Sequence, residues 1–139
     1  MEAGQSLTRR RVLIVDDNVD AAATTAAILE QLGHEVCVAH SGAEALALAA
    51  RCAPAVAILD IGLPDMDGYE LARRLRADPA TGGALFIALT GYGQQADVGR
   101  AADAGFDLHL TKPATLEDLQ RAVALTHIGN AQAWTGEKN

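Results

Sequence analysis

Short apolar runs alternate with longer amphipathic stretches along this chain, five times over. Each run has the length of a β-strand and is rich in Val, Ile, Leu or Phe. The runs cover residues 11–15, 35–39, 55–59, 85–89 and 106–110. Such an alternation is typical of βα units, and it predicts five strands and five helices in a single α/β domain.

The polarity of the runs predicts the order of the strands. The first, third and fourth runs are almost continuously apolar, whereas the second and fifth include charged positions such as Glu35 and Asp107. Continuous apolar strands suit the covered middle of a parallel sheet, and mixed strands suit its edges. This places strands two and five at the edges and predicts a flavodoxin-like, doubly wound five-stranded parallel sheet of order 2-1-3-4-5. The carboxyl ends of the strands then meet at one crevice, where we expect the function to lie.

Three of the intervening stretches begin with the residue pair of a helix capping box. The pairs are Ser41 with Glu44, Asp67 with Glu70, and Thr115 with Asp118. Each pair predicts the start of a helix. Gly33 and Gly105 lie where helices are expected to end in a left-handed residue.

Apolar residues recur at helical spacing after two of these starts, and we expect those faces to cover the sheet. They are Ala45, Leu48, Ala49 and Cys52 in one helix, and Leu116, Leu119 and Val123 in the other. Two cysteines, Cys37 and Cys52, are too few for a disulfide scaffold, and their spacing matches no zinc motif. We expect both to be free thiols, buried or half-buried.

The charge and hydropathy of the chain exclude some classes of function. Eighteen acidic and eleven basic residues give a net charge of −7, which opposes direct binding of DNA or of anionic membranes. The apolar runs are far shorter than the roughly 18 residues of a membrane-spanning helix, and residues 1–11 contain no secretory signal. We therefore expect a cytoplasmic protein without membrane contact. The basic residues 9–11 are interpreted as a solvated lead-in to the first strand.

Polar residues follow four of the apolar runs. Asp16 and Asp17 come after the first, Asp60 after the third, Thr90 after the fourth and Lys112 after the fifth. Three carboxylates packed together repel one another and favour a bound cation. Oxygen ligands without His or Cys indicate a hard divalent ion, and Mg²⁺ is the expected cofactor.

This set of groups also suits phosphoryl transfer. A carboxylate such as Asp60 can attack phosphorus and form an acyl phosphate if the charge on the phosphoryl oxygens is neutralised, here by Mg²⁺ and Lys112. Each residue also has a plainer interpretation. Asp60 could be a turn residue, the acidic pair could close a strand before a helix capped by Asn18, and Thr90 could be present for its β-propensity.

Four segments in order resemble the motifs of one family, the CheY-like receiver domain of bacterial two-component response regulators, including the receivers of hybrid histidine kinases. They are residues 12–18 with the acidic pair, residues 59–68 around Asp60, residues 89–91 with Thr90, and Lys112-Pro113. The resemblance runs from about Arg11 to Thr126. It leaves residues 1–10 as an N-terminal extension and residues 127–139 as a C-terminal tail.

The resemblance implies a role for each matching residue. It implies that Asp60 is the phosphoacceptor, that Asp17 and Asp60 bind Mg²⁺ directly, and that Asp16 binds it through water. The backbone carbonyl of Gly62 is implied as a further ligand. The resemblance also implies roles for Thr90 and Lys112.

Thr90 is implied as the hydroxyl drawn toward the phosphate, and Lys112 as the cation that pairs with it. The peptide bond before Pro113 is expected to be cis. The family usually has an aromatic residue three positions before the lysine, where this chain has His109. We expect His109 to act as a switch residue alongside Thr90, or to be an edge-strand histidine without a switching role.

The implied function is a phosphorylation-dependent switch, not an enzyme that acts on outside substrates. A histidine kinase or a histidine phosphotransfer protein donates the phosphoryl group, and a downstream protein target receives the signal. Two alternatives remain open. One is a Mg²⁺-dependent phosphatase with an aspartyl-phosphate intermediate, although Asp60-Ile61-Gly62 lacks the second acid of such enzymes; the other is a receiver used as an unphosphorylated scaffold.

Overall fold

The structure is a computed structural model, and it describes residues 9–91 and 98–124. Its centre is a parallel sheet of five strands in the order β2-β1-β3-β4-β5. The strands are β1 (Arg11–Val15), β2 (Glu35–Ala39), β3 (Val56–Asp60), β4 (Leu85–Thr90) and β5 (Leu108–Thr111). The helices are α1 (Val19–Gln31), α2 (Gly42–Cys52), α3 (Gly68–Ala77), α4 (Val98–Ala104) and α5 (Leu116–Val123).

The observed strand order confirms the prediction from the polarity of the apolar runs. All residues of β3 and β4 are buried, whereas the edge strands β2 and β5 are partly exposed. An edge strand has a neighbour on one side only, so mixed polar and apolar residues are tolerated there. The fold is the flavodoxin-like doubly wound sheet that the sequence predicted.

The two faces of the sheet form separate hydrophobic cores. One core packs Leu13, Leu59 and Phe86 against α2, α3 and α4. The other packs Ile14 and Ile87 and their neighbours against α1 and α5. Because successive side chains of a strand point to opposite faces, each buried strand contributes to both cores. This double coverage holds the carboxyl ends of the strands in fixed positions.

The three predicted helix starts are confirmed, but only one has a complete capping box. Thr115 and Asp118 at the start of α5 exchange both hydrogen bonds. Ser41 accepts a hydrogen bond from the N–H of Glu44, but the Glu44 carboxylate accepts from the N–H of His40. The Glu44 carboxylate therefore binds the residue before the N-cap instead of the N-cap itself, and the second half of the box does not form.

The other capping pair shows the same effect at the start of α3. The carboxylate of Asp67 accepts from the N–H of Tyr69, while Glu70 pairs with two arginines of its own helix. The predicted helix ends hold as well. Gly33 and Gly105 have φ angles of 97° and 103°, a left-handed conformation that favours glycine.

Two details of the predicted elements are wrong. Leu116 was expected on the covered face of α5, but it is 49% exposed, because it is the first residue of the helix and lies beyond the sheet-facing Leu119 and Val123. The fifth strand begins at Leu108 rather than Phe106. Phe106 and Asp107 instead form the lead-in to β5, where the Asp107 N–H donates to the Phe86 carbonyl.

The expectation of two free cysteines is also wrong. Cys37 of β2 and Cys52 of α2 form a disulfide, with Cα atoms 6.4 Å apart. Sequence spacing did not reveal this pair, because the two residues are brought together only when α2 packs back against the edge strand β2. Their Cα separation lies within the range that a disulfide can span.

Two expectations about segments lie outside the described residues. The first is the N-terminal extension at residues 1–10, of which only Arg9 and Arg10 are described. The second is the C-terminal tail at residues 127–139, together with the predicted domain boundary at Thr126. Within the part of the chain that the structure describes, none of the helices has the length and apolar character needed to cross a membrane.

Arg76 of α3 connects several backbone segments at the side of the sheet. Its guanidinium donates to the carbonyls of Gly82, Ala84 and Gly105. It also forms an ion pair of 3.0 Å with Asp107, whose side chain is almost fully buried and accepts from the Phe86 N–H. Arg76 therefore joins the end of α3 to the segment that enters β5.

We predict that Arg76→Ala destabilises the fold by about 3 kcal/mol, because it leaves the Asp107 carboxylate buried without its cation. Urea unfolding of the purified protein measures the change. Arg73→Ala is a matched control on the same helix, since Arg73 forms an exposed pair with Glu70 and its loss is expected to cost less than about 1 kcal/mol. Equal losses in the two variants would contradict this interpretation.

We expect His34 to make the stability of the fold depend on pH. Burial and the nearby Arg10 lower its pKa, and its Nδ1 atom accepts a hydrogen bond from the Arg10 N–H. Because the folded state binds this proton less readily than the unfolded state, stability falls as the pH drops below about 6.5. We predict that His34→Asn, which keeps an acceptor, shows a smaller loss between pH 7.5 and pH 5.5 in urea unfolding. An unchanged loss would exclude His34 as the source.

Candidate functional site

The predicted polar residues lie together at the carboxyl edge of the sheet. Asp60 and Thr90 are the last residues of β3 and β4, and Lys112 follows β5 directly. Asp16 and Asp17 follow β1. Since all five strands are parallel, their carboxyl ends share one edge, and the central strands β1 and β3 are neighbours there.

The three carboxylates come close enough to share one cation. One oxygen from each of Asp16, Asp17 and Asp60 lies within 4.8 Å of the other two. Asp16 and Asp60 are buried, at 1% and 6% exposure, whereas Asp17 is exposed. The cluster is thus anchored in the sheet on one side and open to solvent on the side of Asp17.

Lys112 bridges the two buried carboxylates. Its ammonium lies 3.0 Å from an oxygen of Asp16 and 3.1 Å from Oδ2 of Asp60. The cis peptide bond between Lys112 and Pro113 is the geometry that the resemblance implied. Three carboxylates and one ammonium leave two net negative charges in the cluster, which a divalent cation would balance.

Burial and partners shift the pKa values of two groups in the cluster. Burial raises the pKa of Asp16, and the charge of Asp60 acts in the same direction, against the hydrogen bonds from Asn18 and Lys112. Burial of Lys112 disfavours its charge, but hydrogen bonds to Asp16 and Asp60 outweigh it and raise the pKa of the ammonium. Lys112 therefore remains charged beside the two carboxylates.

Gly62 lies in the loop between β3 and α3. Its N–H donates a 2.8 Å hydrogen bond to Oδ1 of Asp60, so the loop folds back over the end of the strand. The loop approaches the start of α3 so closely that residue 68 must be a glycine. A Cβ on Gly68 would lie 2.4 Å from the Cα of Ile61, and this clash could be relieved only by moving the backbone.

Thr90 and His109 lie on the neighbouring strands β4 and β5. Thr90 is buried, and among the described residues its hydroxyl has one hydrogen-bond partner, the Leu110 carbonyl at a long 3.5 Å. Such a contact is too weak to hold the hydroxyl in one orientation. His109 is half-buried in β5, where its backbone pairs with that of Ala88.

The structure adds two residues to the site that sequence reasoning did not identify. The ring of His40 lies 3.1 Å from the backbone carbonyl of Asp16, through Nδ1. The carboxylate of Asp65 accepts from the N–H groups of Gly42 and Ala43 at the start of α2. Asp65 lies in the segment that carries the resemblance, but no pattern within that segment indicates a partner in another helix.

The donor set fits a hard divalent cation. Three carboxylates provide oxygen ligands, which Mg²⁺ prefers over nitrogen or sulfur ligands. The exposed side at Asp17 leaves room for water, and Mg²⁺ usually retains several waters. The two uncompensated negative charges support the same cation.

A parallel sheet with three carboxylates, a hydroxyl and an ammonium at its carboxyl edge defines a class of phosphoacceptor switch domains. Comparison with known families gives the same class. Residues 12–124 match the family model described as the response regulator receiver domain. The chain therefore belongs to the receiver domain family of two-component signalling.

Relatives and solved structures support this assignment. The chain is 34% identical to protein PilH of Pseudomonas aeruginosa over 81% of its own length and 93% of that protein. It is 36% identical to the DNA-binding regulator RpaA of Synechocystis over 78% of its length, but it spans only 45% of that protein. The chain is also similar to a CheY-like receiver domain structure from Methanospirillum hungatei, with 34% identity and a TM-score of 0.75. The superposition covers 84% of this chain and 92% of the Methanospirillum chain.

Proposed function

We propose that this domain accepts a phosphoryl group on Asp60 and transmits the signal through a change of shape. The observation that carries the proposal is the set of groups around Asp60. Its carboxylate lies 3.1 Å from the Lys112 ammonium, and it is close enough to two further carboxylates to share a cation with them. Members of the family are signalling switches rather than enzymes with an outside substrate. The catalysis expected of this chain is limited to its own phosphorylation and dephosphorylation.

In the proposed reaction, an oxygen of Asp60 attacks the phosphorus of a phosphohistidine. The new O–P bond forms as the P–N bond breaks, and the histidine nitrogen leaves with the electron pair. Asp60 is suited to this because it is held by the Gly62 N–H and by Lys112 at the end of a buried strand. Lys112 is placed to exchange its bond to Asp60 for one to a phosphoryl oxygen.

Asp17, Asp60 and the Gly62 carbonyl are proposed to hold Mg²⁺ directly, with Asp16 holding it through water. The bound ion supplies neutralisation of the charge on the phosphoryl oxygens during transfer. Receiver domains generally bind Mg²⁺ in such an acidic pocket. In this chain Asp16 also keeps Lys112 in place, since the ammonium contacts both Asp16 and Asp60.

The proposed switch begins with Thr90. A phosphoryl group on Asp60 offers oxygens that attract its hydroxyl, which makes a weak 3.5 Å contact with the Leu110 carbonyl in this structure. Movement of Thr90 alters the end of β4. Thr90 and His109 of β5 together then change the surface formed by α4, β5 and α5. Phosphorylation then shifts an equilibrium between two conformations instead of creating a new one.

The family acts between histidine kinases and downstream targets in general. We propose that this domain receives its phosphoryl group from a histidine kinase or a histidine phosphotransfer protein in the cytoplasm. It passes the signal to a protein target and does not bind DNA directly, because its net charge of −7 opposes contact with phosphates.

We predict that the wild-type protein gains the mass of one phosphoryl group when it is incubated with Mg²⁺ and a small-molecule phosphodonor. Asp60→Asn is expected to gain none, because an amide oxygen is a poor nucleophile. Intact mass spectrometry measures both. Asp103→Asn, which changes an exposed acid of α4, is a matched control and should gain the group normally. Phosphorylation of Asp60→Asn to the same extent would refute the assignment.

We also predict that Mg²⁺ stabilises the unphosphorylated fold. At ten times the dissociation constant, the free energy of unfolding should rise by about 1.4 kcal/mol, because the ion binds the folded state alone. Asp17→Asn should reduce this gain, while Asp103→Asn should retain it. Urea unfolding with and without Mg²⁺, at constant ionic strength, measures the difference. A wild-type protein that is insensitive to Mg²⁺ would favour the unphosphorylated scaffold.

A further inference from the structure

The loop between β3 and α3, residues 61–67, carries Gly62 and is fastened to the helices on both sides of it. Toward α4, Asp67 forms an ion pair of 2.6 Å with Arg100. Toward α2, Asp65 and Met66 contact the first turn of the helix. The Asp67 pair is about half exposed, and such pairs contribute little to stability. The contacts toward α2 are more specific.

The carboxylate of Asp65 binds two backbone groups of α2 at once. Oδ1 accepts from the Gly42 N–H at 2.9 Å, and Oδ2 accepts from the Ala43 N–H at 3.1 Å. The first N–H groups of a helix have no partner within the helix. The Ser41 hydroxyl accepts from the N–H of Glu44, and Asp65 completes the cap from another part of the chain.

The charge of Asp65 strengthens this contact. A carboxylate at a helix N-terminus is favoured by the helix dipole, and a charged acceptor makes stronger hydrogen bonds than a neutral one. The hydrogen bonds from Gly42 and Ala43 keep the pKa of Asp65 below its usual value, so the group stays ionised at neutral pH.

Met66 and Gly42 fit closely beside this contact. A Cβ on Gly42 would lie 3.0 Å from both the Cβ and the Sδ of Met66. The start of α2 therefore approaches the loop at a distance that only glycine permits without displacing Met66. Two independent contacts, one polar and one apolar, thus hold the same loop against the same helix turn.

We infer that Asp65 is a positioning residue for phosphoryl transfer: by binding the start of α2, it holds the loop so that Gly62 stays against Asp60. The inference rests on the proposed function. Asp65 itself reaches neither the cation nor the phosphoryl group. Its effect passes through Leu63 and Pro64 to Gly62, whose N–H donates to Asp60 and whose carbonyl is a proposed Mg²⁺ ligand.

The test compares Mg²⁺ binding to the unphosphorylated protein in the wild type and in Asp65→Ala, Asp65→Asn and Ser41→Ala. Isothermal titration calorimetry with Mg²⁺ alone gives the dissociation constants. Asp65→Ala is expected to weaken binding about tenfold, the lower end of what loss of a supporting contact costs a metal site. Asp65→Asn retains one acceptor oxygen and should fall between Asp65→Ala and the wild type.

Ser41→Ala is the matched control, because it removes a cap from the same helix without touching the loop. It should leave the affinity for Mg²⁺ unchanged. Hydrogen exchange by NMR gives a second readout: the Gly62 amide should exchange faster in Asp65→Ala than in Ser41→Ala. If Asp65→Ala does not fold, Asp65→Asn replaces it in the comparison with Ser41→Ala and the wild type.

The outcomes separate this inference from the proposed function. Wild-type affinity and unchanged Gly62 exchange in both Asp65 variants would overturn the inference and leave the proposed function intact. Equal weakening in Ser41→Ala and Asp65→Ala would also overturn it, since the effect would then come from fraying of α2. A wild-type protein that binds no Mg²⁺ and gains no phosphoryl group would overturn both.

Discussion

Mutual repulsion of Asp16, Asp17 and Asp60 is the constraint around which this domain is arranged, because three carboxylates within 4.8 Å of one another oppose folding unless something compensates them. Lys112 compensates part of the charge by bridging Asp16 and Asp60. The two negative charges that remain would be neutralised by one divalent cation. The same charge deficit that opposes folding is the basis of the Mg²⁺ and phosphoryl binding that we propose for this site.

The architecture keeps this unfavourable cluster in place. β1 and β3 lie side by side in the middle of the sheet and are covered by hydrophobic cores on both faces. Asp60 is the last residue of a fully buried strand and cannot move away from Asp16 without disturbing that packing. The repulsion is therefore balanced by apolar burial elsewhere, as is common at functional sites.

The differences from the sequence-based expectations have two causes. Glu44 and Glu70 have the spacing of capping boxes, but each binds another partner within four residues of itself. Cys37 and Cys52 are fifteen residues apart, and only the return of α2 onto β2 brings them together. Spacing alone thus does not choose between competing local partners, and it does not encode contacts between elements.

The sequence by itself determined the strand order and the polar residues at the strand ends, because burial of a strand on two faces demands continuous apolar residues and its carboxyl end carries the first polar ones. The fold and the gathering of Asp16, Asp17, Asp60, Thr90 and Lys112 follow from that pattern. Only the tertiary structure decided that Lys112 contacts both buried carboxylates, that His40 lies beside Asp16, and that Asp65 caps α2. These contacts depend on distances between elements far apart in the chain, which hydrophobic periodicity does not encode.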